Sequence, residues 1–183
     1  MIIVQVQRKT TLFSFFIFSI VSVAFPQMES QGAYEKKEPV LLFSIERSRD
    51  ADRIYYQVNL TPEGRLHPGE PVNIFWKRYT ADGRTEPLTR LQQNRSYGLK
   101  YTEITPWQAS FHFAAFKEKS FTLKQLPDGS YRVFTPTPNG EKELTKMYVM
   151  FAGGSFLMPS IEYVTFFLKD TPTGVITTEI FNP

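Results

Sequence analysis

The sequence predicts an all-β fold, either an antiparallel β-sandwich or a closed barrel of about nine strands with at most a short helix. Three observations carry that expectation. Apolar residues come in runs of four to nine, several in strict alternation, which is the period of a half-buried strand. The runs are divided by turn chemistry, with 13 prolines and 10 glycines in 183 residues. Phe (17) and Tyr (9) are abundant, and aromatic side chains suit the pleated surface of a sheet. No strand–helix–strand unit with a crossover helix is visible, so a parallel sheet is not expected.

Taken in order, the chain opens with a segment set apart from the fold. Arg8 and Lys9 head the uncharged stretch "TTLFSFFIFSIVSVA" (10–24), and Ser22 and Ala24 put small residues where a signal peptidase reads. The apolar part is short for a span of about 20 residues. Residues 1–24 therefore read as a cleaved signal peptide, and the expected location is secreted or periplasmic. Residues 25–39, polar and mixed in charge, read as a flexible leader. Residues 40–183 read as a single all-β domain. Taking away Arg8 and Lys9 lowers the formal net charge from +3 to +1, too small a basic excess for nucleic acid. No later segment is long and apolar enough to cross a membrane as a helix. The absence of cysteine excludes disulfides, thiol catalysis and thiolate-held metals.

The strands follow. "VLLFSI" (40–45) is a continuous apolar run. "RIYYQVNL" (53–60) alternates, with Ile54, Tyr56, Val58 and Leu60 on one face. "VNIFWKRY" (72–79) sets Val72, Ile74 and Trp76 on one face. An Asp-Gly turn signal comes next, and then "EPLTRLQQNRS" (86–96), where alternation stops and a helical turn or excursion is expected. Strand signals resume at 97–101, 107–116, 120–126, 130–136, 144–152, 160–168 and 174–181. Several of these carry large apolar residues on both faces, so they are covered on both sides or back onto a lumen.

Between the first two strands lies a run of charge, Glu46, Arg47, Ser48, Arg49, Asp50, Ala51, Asp52, Arg53. One reading is a solvated hairpin loop whose ion pairs contribute little. The other is that Arg47, Arg49 and Arg53 present planar guanidinium groups to an anionic ligand, with the carboxylates orienting them. Aromatic residues too numerous for one apolar face suggest a ring-lined pocket behind those arginines. Glu46, Arg47, Arg49, Arg53, Tyr56, Trp76, Tyr97 and His112 are the candidate ligand-binding residues. His67 sits in turn chemistry. "AGGSF" (152–156) resembles a turn more than an oxyanion site, because no helix follows it. No catalytic residue, metal site or cofactor is expected.

The stretches "LFSIERSRDADRIYYQVNL", "PVNIFWKRYTADGRTEPLT" and "YGLKY" are similar to an uncharacterised bacterial family of exported proteins, domain of unknown function 4833. The resemblance covers about residues 40–180. It implies an exported single domain and brings no known activity, cofactor or catalytic residue. The function expected is therefore non-catalytic binding of a small amphipathic or anionic ligand or an envelope component. One alternative is a cell-envelope hydrolase using paired carboxylates, with Glu46 and Glu162 the first acids to check. A second is a structural domain that pairs through a sheet edge. A small outer-membrane barrel fits less well, because charged runs interrupt the strands.

Overall fold

A computed structural model of the chain describes residues 40–154 and 159–183. The expected signal segment and leader lie outside those residues. The described chain is mostly β. Its elements are β1 (Leu41–Arg47), β2 (Asp50–Val58), β3 (Val72–Arg78), β4 (Arg84–Pro87), the short helix α1 (Arg90–Arg95), β5 (Leu99–Ile104), β6 (Gln108–Phe113), β7 (Phe116–Gln125), β8 (Tyr131–Thr137), β9 (Gly140–Gly154), β10 (Pro159–Lys169) and β11 (Ile176–Phe181).

The sheet runs β4-β3-β2-β1-β9-β8-β7-β6-β5, with β10 also on β9 and β11 beyond it. Strand β9 is the spine. Along one edge it pairs with β10 almost throughout, from Glu143 to Gly154. Its other edge is shared. Gly140 to Glu143 pair with β8, and Lys146 to Val149 pair with β1. Two four-stranded leaves, β1–β4 and β5–β8, thus leave the same edge of one strand and curve over a common core.

This corrects the expected architecture in two respects. The sheet is mixed, because β1 and β9 run parallel (Ser44↔Lys146 through Arg47↔Val149). It is also an open half-barrel whose path ends at β4 and β5, neither a closed ring nor a plain antiparallel sandwich. The parallel pair has no sequence signature, because nearly the whole domain serves as its connection. The 107–116 run is likewise two strands. Phe113 and Phe116 face each other across Ala114 and Ala115, which turn the chain.

The core lies between the leaves and is rich in aromatic rings. Phe43 stacks on Tyr56 at 4.2 Å, and Phe113 meets both rings edge-on at 6.0 and 5.8 Å. Phe121 stacks on Phe111 at 5.7 Å and touches Phe166 of β10 at 6.1 Å. Fully burying one such side chain stabilises the fold by about 1.5–3 kcal/mol.

Helix α1 forms where alternation fails, and its start is chemically fixed. Thr89 caps it, its hydroxyl accepting from the Gln92 N–H while the Gln92 side chain accepts from the Thr89 N–H, a reciprocal capping box. Gln92 Oε1 also accepts from Trp76 Nε1 at 3.2 Å, tying the helix to β3. The exit is tight. A Cβ on Gly98 would lie 1.9 Å from the Gln93 carbonyl oxygen, so only glycine lets β5 pass the helix. The Gly98 carbonyl then accepts from Ala114 N–H at 2.8 Å, which holds this junction against the β6–β7 turn.

Candidate functional site

The charged run is neither a loop nor one cluster. Strand β1 ends at Arg47 and β2 begins at Asp50, so only Ser48 and Arg49 turn, and the remaining charges lie on strands. Strand period then sends them to opposite faces. Arg47 follows Phe43 and Ile45 on the inner face, and Asp52 precedes Ile54 and Tyr56 there. Glu46 and Arg53 take the outer face, where the Glu46 carboxylate lies 3.3 Å from both Arg53 and Lys146.

On the inner face the apolar rows end in a polar network. Asp52, 5% exposed, accepts from Arg78 Nη1 at 3.1 Å and from the Thr80 N–H and hydroxyl, each at 2.9 Å. Arg78 also donates from Nε to Glu86 at 2.7 Å, and Glu86 receives Arg84 at 2.7 Å. Burial works to raise the Asp52 carboxyl, but the Thr80 and Arg78 hydrogen bonds outweigh it and hold it below the ordinary aspartate value. Burial similarly works to lower the Arg47 guanidinium. Its hydrogen bond to Asp50, at 2.5 Å, and its contact with Tyr97 raise it instead, so it keeps its charge. The Arg47 and Arg78 guanidiniums both lie 4.4 Å from the Trp76 ring centroid.

Next to this network is an apolar cleft of about 390 Å3. One wall is Ile45 of β1 with Met147, Val149 and Phe151 of β9. The other holds Phe113, Phe116 and Phe181, with Ile161 and Val164 of β10 between. Among the described residues the lining turns polar only at the α1–β5 junction, with Arg95, Ser96 and Tyr97. The Tyr97 ring meets Trp76 edge-on at 5.6 Å, and its hydroxyl accepts from Arg47 Nη1 at 3.4 Å. The Arg95 side chain, exposed in the last turn of α1, has no hydrogen bond or ion pair among the described residues.

Of the residues singled out from sequence, Arg47, Tyr56, Trp76 and Tyr97 come together. Tyr56 is fully buried, its hydroxyl donating to the Tyr97 carbonyl at 2.7 Å, and burial pushes its phenol well above the ordinary tyrosine value. Arg49 lies apart. Its guanidinium donates to the Gly153 carbonyl and sits 4.6 Å from the Phe151 ring centroid, bracing the end of β9. Arg53 and Glu46 face away from the cleft. His112 also points to the outer face of its leaf, between Phe111 and Phe113, which point inward, and opposite Lys100. The three arginines expected to act together are thus divided among an inner face, a turn and an outer face. Glu162 is exposed beside a β10 irregularity, and among the described residues no hydrogen bond or ion pair joins it to Glu46. Among those residues, too, no three His, Asp or Glu side chains converge as metal ligands, and no helix is long and apolar enough to cross a membrane.

Sequence reading missed Asp52, Arg78, Thr80 and Glu86 as a network, and Arg95 with the cleft. A signal for the network existed. Arg78 continues the apolar face of Val72, Ile74 and Trp76, and Asp52 continues that of Ile54 and Tyr56, so two opposite charges end adjacent buried rows. The cleft has no comparable signal, because its walls come from six separate strands.

No curated protein and no solved structure matches the chain. A family model does, over residues 43–179, a span that takes in both leaves, the polar network and most of the cleft lining. The chain therefore belongs to the family described as a domain of unknown function, DUF4833.

Proposed function

We propose that the protein is an exported carrier or receptor that binds a small amphipathic molecule in the cleft between the leaves, without transforming it. The cleft carries this reading. Its volume of about 390 Å3 falls within the range of about 300–1,000 Å3 usual for small-molecule sites, which are likewise apolar with a few placed polar groups. The apolar part of the ligand packs on Phe113, Phe116 and Phe181, and the polar part stays at the Arg95–Tyr97 rim. Arg47 serves by holding the Tyr97 hydroxyl rather than by meeting the ligand.

Native mass spectrometry of the protein purified without detergent tests the reading. A bound mass that leaves on denaturation is expected. Ala115, an exposed residue of the cleft lining, marks its rim; Ala115→Trp places a large ring there and should abolish that mass while the fold persists. A wild type that carries nothing and takes up no apolar dye, or a variant that binds as well as wild type, overturns the cleft.

One observation favours a second reading, association through a sheet edge. Ile176 and Ile180 on β11 are 57% and 61% exposed, and among the described residues β11 pairs with β10 alone. Two copies pairing antiparallel about Thr178 would set Ile176 opposite Ile180. A homodimer in sedimentation that Thr178→Pro dissociates supports it, and a monomer rules it out.

A further inference from the structure

We infer that the cleft selects a single-chain acyl carboxylate of about ten to twelve carbons, with Arg95 and the Tyr97 hydroxyl holding its head. This rests on the cleft reading above and adds the chemical class of the ligand. Size argues for one short chain. Taking the roughly 30 Å3 that a water occupies in the liquid as the volume of one heavy atom, 390 Å3 holds about thirteen non-hydrogen atoms. A second chain would have to lie outside the cleft.

Charge argues for a carboxylate. Arg95 is the one cation among the described lining residues, and it is uncommitted, whereas nearby Arg47 is held by Asp50 and Arg49 by the Gly153 and Gly154 carbonyls. A guanidinium matches the two oxygens of a carboxylate in a planar fork. The Tyr97 hydroxyl accepts from Arg47, so its own proton is free to turn to the ligand. A phosphate monoester would bring further negative charge with no second free cation among the described lining residues to meet it. Pro183 is also at the rim, without forming an ion pair to Arg95 among the described residues.

Isothermal titration with decanoate, decan-1-ol, decyl phosphate and palmitate tests the assignment. Decanoate should bind at least tenfold more tightly than decan-1-ol, and palmitate should bind more weakly than decanoate. Arg95→Gln, at an exposed and unpaired position, should leave folding intact and remove most of the decanoate advantage without affecting decan-1-ol. Tyr97→Phe should weaken decanoate about threefold or more. If decanoate and decan-1-ol bind equally and Ala115→Trp abolishes both, the cleft stands and the head-group assignment fails. If decyl phosphate exceeds decanoate, the carboxylate assignment fails, and if palmitate matches decanoate, the length limit fails. If none of the four binds a wild type that still carries a native mass, the acyl class is wrong while the cleft reading survives.

Discussion

Asp52→Asn probes the polar network at its most buried point. The substitution preserves shape and lets one amide oxygen go on accepting from Thr80, while the NH2 group faces Arg78 Nη1, donor against donor. Removing one member of a buried ion pair costs about 3–5 kcal/mol, and a hydrogen bond to a charged group contributes about 1.5–3 kcal/mol. The lower range applies, because the Arg78 side chain is 26% exposed and retains Glu86. We expect a loss of about 2 kcal/mol at pH 7. The pH dependence has a definite sign. A carboxyl whose folded value is depressed stabilises the fold above its unfolded value, near 3.9, and that contribution is lost as pH falls through the lower folded value. The difference between wild type and variant should therefore be full at pH 7 and smaller at an acid pH well below 3.9, shrinking as the pH passes through the depressed folded value. Urea denaturation followed by the fluorescence of Trp76, 1% exposed in the core, measures it. With slopes of about 1–3 kcal/mol per molar urea, the midpoint should shift by about 1 M. A shift below about a quarter of that at pH 7, or the same shift at both pH values, would refute the reasoning.

Two further substitutions test the frame that holds the cleft rim. Gly98→Ala drives a Cβ into the Gln93 backbone, so it should cost about 3 kcal/mol in denaturation and, by displacing Tyr97, weaken whatever the cleft binds. Tyr56→Phe removes a fully buried hydroxyl and leaves the Tyr97 carbonyl short of its donor. We expect a loss of about 1–2 kcal/mol in the same assay.

What was legible in the sequence was local. Alternation in residues 53–60 and 72–79 placed Tyr56 and Trp76 on the inner face correctly, because strand period needs no partner to be read. The capping box at Thr89 and Gln92 lay inside the stretch where a helical turn was expected. Long-range facts were not legible. The charged run looked like a loop because six charges within eight residues hide period 2 when both faces are charged at a strand end. The pairing of Asp52 with Arg78 depends on the register Arg53↔Lys77, which a single sequence does not state. The mixed sheet depends on β9 taking β8 and β1 in succession along one edge. Arg95 stood in plain view, but its isolation becomes meaningful only once the other arginines near the cleft are seen to be committed.

The shared edge of β9 also shapes how the chain must assemble. Strand β1 is synthesised early, yet it waits for partners about a hundred residues downstream, such as Lys146 for Glu46. Contacts of that separation make folding slow, and until β9 arrives the flank of β1 is an unfilled template for stray strands. Its last two residues, Glu46 and Arg47, meet that hazard by placing opposite charges at the very positions where β9 will dock. An intruding apolar strand would have to desolvate them, whereas β9 brings Lys146 to one and leaves Asp50 on the other. The same run of charge therefore guards the nascent edge before it becomes part of the finished wall.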